Sequence, residues 1–149
     1  MNSICCFAGH ANIVDPKNIE QSLLTEIEKL IVRENVIEFW VGNYGDFDRL
    51  STTCVRKLKS KYPKIRLILV IPYLTEKIKG NPEYYQTMFD EILMANIPEQ
   101  TPRILKIIAC NQFMIDESAW LICYVRYKGG AKKTLNYAKK CQTIQVLEI

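Results

Sequence analysis

This sequence predicts an α/β three-layer sandwich, a mostly parallel sheet of about six strands with helices on both faces. Three observations carry the prediction. Short apolar runs of strand length alternate with stretches in which apolar residues recur every three or four positions. The run 65–71 is almost continuously apolar, as a strand covered on both faces must be. Proline, glycine and capping residues stand at the junctions between the two kinds of stretch.

The first strand is read over residues 4–7 and meets a loop at Gly9-His10. Asp15-Pro16 reads as the cap and first-position proline of a helix. Ile19, Leu23, Leu24, Ile27, Leu30 and Ile31 form its apolar face, with Glu20, Glu26, Glu28 and Lys29 off it. Residues 36–41 are the second strand, 42–46 a loop, and Phe47, Leu50, Cys54 and Leu58 mark the next helix, which Tyr62-Pro63 stops. The third strand is 65–71, and 73–80 is the loosest stretch of the chain. Asn81-Pro82 opens a short helix to about Phe89, and 91–94 is a weak fourth strand. Thr101-Pro102 starts a helix carrying Ile104, Leu105, Ile108 and Ile115. Residues 119–125 make a strong strand, Gly129-Gly130 precedes a helix holding Leu135 and Ala138, and 143–147 closes as the last strand. Spacing says nothing about strand order.

The 149 residues are read as one domain, 1–149, long enough to bury roughly 70% of the unfolded surface. Hydrophobic residues at 48% and a net charge of only +4 exclude disorder as the main state. The longest apolar runs, 67–72 and 119–125, fall far short of the about 20 residues of a membrane span, so no membrane partner is expected. Basic residues cluster in 56–66 and 128–140, and the modest total speaks against nucleic acid as a partner. Residues 1–3 carry no charged side chain and 4–8 run at once into Gly9-His10, a strand meeting a loop rather than an export leader. Cys5, Cys6, Cys54, Cys110 and Cys123 lie in apolar segments without a CxxC or zinc spacing. They read as buried thiols of a cytoplasmic protein with no metal site.

In an open parallel sheet, ligands bind beyond the carboxyl ends of the strands where the strand order reverses. Glycines stand at three such ends: Gly9 with the lone His10, Gly42 and Gly45 with Asp46, and Gly129-Gly130-Ala131 at a helix start. Glycine there lets the backbone approach an anion, and a helix start offers free amides. Each loop also has a plain structural use as a turn, and Asp46 as a helix-start cap. No GxGxxG surrounds Gly9 and no GxxxxGK[ST] occurs, so the dinucleotide and P-loop readings fall and no cofactor is expected.

Cys6-Phe7-Ala8-Gly9-His10 resembles the C-F-T-G-H-R opening of Rossmann-like proteins of the SLOG superfamily, named for the DNA-processing Smf/DprA and Lonely Guy proteins. Three further pieces are similar in the same order. They are Phe39-Trp40-Val41-Gly42 followed by Gly45-Asp46-Phe47-Asp48, then Asn111 with Met114-Ile115-Asp116, then Tyr124 with Gly129-Gly130-Ala131, Thr134 and Ala138-Lys139-Lys140. The branch it most resembles is the small YpsA-like group, often bacterial or phage-borne. The resemblance implies a Rossmann-like fold and a nucleotide or nucleotide-derived ligand at the glycine loops. Gly129, Gly130 and Ala131 with the Thr134 hydroxyl would hold phosphate, and Gly9, His10, Gly42, Gly45 and Asp46 would line the rest. Asn111 and Asp116 would reach the pocket or brace it, and Asp116 has an equal structural use in capping or tying down a helix.

The chain departs from the pattern at Ala8 and Ala11, where the group has Thr and Arg, and at Ala119, where an acidic residue is common. Tyr137 stands where Lonely Guy-type hydrolases place a glutamate, so the catalytic carboxylate has no occupant. A binding module for a nucleotide-like small molecule is therefore the leading expectation. A nucleotide N-glycosidase using Asp46, Asp48 or His10 is the first alternative, a DNA-associated accessory protein the second, and a homodimer is compatible with either.

Overall fold

The computed structural model describes residues 3–149; Met1 and Asn2, part of the start read as uncharged, lie outside the described residues. In chain order the elements are β1 (Ile4–Gly9), α1 (Pro16–Glu34), β2 (Glu38–Val41), α2 (Asp46–Lys59), β3 (Arg66–Ile71) and α3 (Glu76–Gly80). They continue with α4 (Pro82–Met88), β4 (Glu91–Met94), α5 (Arg103–Glu117), β5 (Trp120–Tyr124), α6 (Gly130–Lys140) and β6 (Gln145–Glu148). The sheet order is β4-β3-β2-β1-β5-β6, and every pairing is parallel. The order grows outward from β1 in both directions, so it reverses between β1 and β5, the position at which a crevice opens beyond the strands' carboxyl ends.

Side chains alternate across the strands, and this builds two cores. On one face Cys5 and Phe7 of β1, Phe39 and Val41 of β2, and Leu67, Leu69 and Ile71 of β3 meet Leu23 and Ile27 of α1 and Phe47, Cys54 and Val55 of α2. On the other, Cys6, Ala8, Trp40, Ile68 and Val70 meet Cys110, Met114 and Ile115 of α5 and Leu135 and Ala138 of α6. Each Val, Leu, Ile, Phe or Met side chain buried this completely contributes about 1.5–3 kcal/mol of transfer free energy. The five cysteines of the apolar segments are buried among these layers. Among the described residues no helix is long and apolar enough to cross a membrane.

The segment 73–80, expected to be loose, contains α3 instead. Thr75 caps it, its hydroxyl accepting the Ile78 N–H at 3.2 Å. A five-residue helix with one buried apolar side chain, Ile78, has no periodicity to detect. Asp15 does stand before α1, but its carboxylate accepts from the Asn18 amide at 2.6 Å rather than from a backbone N–H. At α5 the flanking residue is Pro102, not Thr101, and no side chain caps the helix. Strand ends fall within one or two residues of the expected ones.

One glycine is dictated by this packing. The Phe47 ring, fully buried at the start of α2, lies over Gly9 at the end of β1, and a Cβ on Gly9 would overlap it. Phe47 in turn stacks on Tyr124, the residue paired with Gly9 across the sheet, with centroids 6.2 Å apart. Gly9→Ala should therefore cost about 1–3 kcal/mol of stability through overpacking, read as a lower urea midpoint at unchanged slope. An unchanged midpoint would contradict this packing.

Candidate functional site

The loops that leave β1, β2 and β5 build the site at the carboxyl edge of the sheet. The first two are locked together. The N–H of Asp46 donates to the Ala11 carbonyl at 2.8 Å, that of Phe47 to the His10 carbonyl at 3.3 Å, and that of Ile13 to Asp46 Oδ2 at 2.8 Å. Gly45 faces Ala11 so closely that a Cβ would overlap the Ala11 backbone, so this glycine permits loop-to-loop contact. The Ile13 N–H first, and Arg49 second, hold the Asp46 carboxyl below its ordinary pKa.

His10 is tied to the β5 side of the reversal. Its Nε2 accepts the Arg126 backbone N–H at 2.7 Å, which assigns the ring proton to Nδ1. The ring stacks on Tyr127 at 3.7 Å between centroids and 6° between planes, and Tyr124 lies nearly perpendicular to it with centroids 5.9 Å apart. Burial first, and the Arg126 charge second, lower the imidazole pKa below 6.5.

At the start of α6 the backbone is open. Gly129 has φ 151°, a conformation glycine tolerates and L-residues avoid, and a Cβ on Gly129 or Gly130 would meet no atom within 4 Å. No side chain caps this helix and its first turn holds no acid. The first N–H groups of a helix have no intrahelical partner, and those of Gly130 and Ala131 have no acceptor among the described residues. The Thr134 hydroxyl, implied as a phosphate donor, donates instead to the Gly130 carbonyl at 3.1 Å.

Together these pieces enclose a cavity of about 340 Å³ on the α5–α6 side of the sheet. Its lining includes Gly9, His10, Gly45, Asn111, Gly129, Gly130, Ala131 and Thr134, with Asn12, Tyr44, Asp48, Ile107 and Tyr127. Asp48 is the one acid among them. Its Oδ2 accepts the Tyr44 N–H at 2.9 Å, and desolvation pushes its carboxyl up to about 6. A second cavity, of about 390 Å³, lies on the α1 side; His10, Asn12 and Tyr127 line both.

Three expected residues lie elsewhere. Gly42 opens toward another cavity, between α2 and the α3–α4 segment, and backs onto Asp48, whose Oδ2 would lie 3.1 Å from a Cβ at Gly42. Asp46 is occupied in joining the two loops. Asp116 sits at the last turn of α5, at the far end of the sandwich, and accepts the Tyr137 hydroxyl at 2.7 Å. Of the acid/base candidates, only His10 and Asp48 line the cavity. The sequence reading missed Asn12, Tyr44, Tyr127 and Ile107. The first three share loops with named residues, and Ile107 lies one helical turn before Asn111.

A parallel sheet with its order reversing at β1 and a glycine-started helix at the reversal defines a Rossmann-like α/β fold. The chain is similar in structure to DNA processing protein A (DprA) from Streptococcus pneumoniae, with TM-score 0.67 and 16% identity over 97% of this chain and 49% of that one. It is equally similar to DprA from Helicobacter pylori, a single-stranded DNA-binding protein, at TM-score 0.67 and 16% identity over 97% of this chain and 64% of that one. It thus spans about half of one of these solved chains and less than two thirds of the other. No family model matches it. In sequence it is 31% identical over 140 residues to the uncharacterized SPbeta prophage-derived protein YoqJ of Bacillus subtilis (strain 168), covering 82% of this chain and 81% of that protein. The chain belongs to the YoqJ family.

Its lone histidine gives a direct check on the site. The imidazole should titrate below 6.5 by NMR and be neutral at pH 7 with the proton on Nδ1. Protonation would take the Nε2 lone pair from the Arg126 N–H and is disfavoured in the fold. A midpoint at or above 6.5 would contradict the hydrogen bond.

Proposed function

We propose that this protein binds a nucleotide or nucleotide-derived small molecule in the cavity at the β1/β5 reversal, with a phosphate at the start of α6. One observation carries the reading: the cavity is bordered by backbone N–H groups at Gly130 and Ala131 that have no protein acceptor, at glycines with open space before them. A helix start of this kind attracts negative charge through its free amides and its dipole. Arg126, Lys128, Lys132 and Lys133 flank it in sequence and add to the attraction. The YpsA-like resemblance fits the same reading. A hydrolase version of this site would depend on Asp48, the cavity carboxylate whose raised pKa suits proton transfer near neutrality.

A second reading has its own support. The Helicobacter pylori DprA binds single-stranded DNA, and basic and aromatic groups also meet at this edge of the sheet. The Arg103 guanidinium lies 4.4 Å and the Lys106 ammonium 5.8 Å from the Tyr73 ring centroid, and Tyr44 and Tyr127 are exposed. Basic grooves with stacking platforms hold single strands. The net charge of +4 counts against DNA only in aggregate; this edge is a local matter. Binding of oligonucleotides that weakens steeply with salt, alongside indifference to mononucleotides, would favour this reading.

The Gly130→Val substitution separates fold from site, because its side chain would project into open space at the first helical position. A nucleoside monophosphate at about 100 times its dissociation constant should stabilise the wild type by about 2.7 kcal/mol in a thermal-shift assay. Gly130→Val should unfold as cooperatively and show no such shift. A full shift in the variant would count against the phosphate position.

A further inference from the structure

We propose that the ligand carries a planar aromatic base, and that this base takes the place Tyr127 now holds on the face of His10. The inference rests on the anion-binding reading above and extends it to the other end of the ligand. The Tyr127 ring is parallel to the imidazole, 3.7 Å away and tilted by 6°. This is the stacked arrangement a purine or pyrimidine adopts on an aromatic side chain. The two rings are held very differently. His10 is 4% exposed and fixed by the Arg126 N–H and by Tyr124 nearly perpendicular to it. Tyr127 is 55% exposed, and its hydroxyl has no partner among the described residues. One ring is a fixed platform and the other is a cover. With more than half its surface exposed, the Tyr127 side chain would clear the platform by turning toward solvent.

The cleared face belongs to both cavities, since His10 and Tyr127 are their shared wall. With the tyrosine turned out, the space at the α6 start and the space at the α1 side become continuous across the reversal. A phosphate at Gly130 and a base on His10 would then be bridged by a sugar. Beyond the platform the α1-side cavity presents Asn12, Asp15 and Asn18, whose amide and carboxylate groups match the donors and acceptors of a base edge. A sugar phosphate without a base would fill one cavity only.

Calorimetric titration of the full chain with adenosine 5′-monophosphate and with ribose 5-phosphate tests this, using wild type, Tyr127→Ala and Tyr127→Phe. Tyr127→Ala, whose platform is already clear, should bind the nucleotide about tenfold or more tightly than the sugar phosphate, the gain expected of one stacked base, and wild type should show a smaller preference because its base exchanges one stack for another. Tyr127→Ala removes the ring that the base must displace, so it should bind the nucleotide severalfold more tightly and ribose 5-phosphate unchanged. Tyr127→Phe keeps the ring and should behave as wild type. Equal affinities for the two ligands in Tyr127→Ala would overturn the stacked base while leaving the phosphate reading in place. Weaker nucleotide binding by Tyr127→Ala would also overturn the proposal, because the tyrosine would then hold the base rather than yield to it. Failure of both ligands to bind would overturn this inference and the phosphate reading together.

Discussion

β1 has β2 on one side and β5 on the other, and the chain reaches these two neighbours by crossovers on opposite faces of the sheet. Parallel strands are joined by right-handed crossovers, so α1 and α2 cover one face while α5 and α6 cover the other. The loops leaving the carboxyl ends of β1 and β5 must therefore part, and the gap between them cannot be filled by either helix layer. A single strong hydrogen bond, from the Arg126 N–H to His10 Nε2, spans that gap. It fixes the imidazole, brings the β5–α6 loop over the end of β1, and sets both cavities on either side of one aromatic pair.

The glycines around this point do two physical jobs. Gly9 and Gly45 are close-approach residues: one lies under the Phe47 ring, the other against the Ala11 backbone. They let the β1 and β2 loops converge and have no room for a side chain on the protein's own account. Gly129 and Gly130 have nothing near the missing side chain, and Gly129 adopts a φ that other residues avoid. Their openness is not explained by packing, which is why the start of α6 rather than the β1 loop carries the binding reading. The same contrast separates the two neighbouring aspartates. Asp46 is ionised and spent on joining loops, while Asp48 faces the cavity with its charge disfavoured by burial.

Most of the architecture was legible because it is written in periodicity. The apolar 3.6-residue repeat of α1, the unbroken run of β3 and the proline and glycine punctuation each report local geometry directly. Strand order was not legible, since pairing partners are decided by long-range packing that leaves no mark on spacing. Short elements such as α3 lack the length to show a period. At the site, glycine, histidine and asparagine positions were legible as strand-end residues, and Gly9, His10, Asn111 and Gly129 to Ala131 do come together. Of the two uses open to Asp116, the pocket and the tying down of a helix, the structure shows the second, because its position along α5 sends it to the opposite end of the sandwich, where the Tyr137 hydroxyl of α6 bonds it. The role of Tyr127 was hidden because a tyrosine in a loop has no pattern; only coordinates show it lying flat on His10.

Unpaired amides at the start of α6 are the proposed anion site. Backbone amide chemical shifts followed during titration with a nucleoside monophosphate test that most directly. The largest movements should fall on Gly130 and Ala131, with smaller ones at His10, Asn12 and Asn111. Movements spread over the lysines and arginines of 56–66, with Gly130 and Ala131 still, would contradict it.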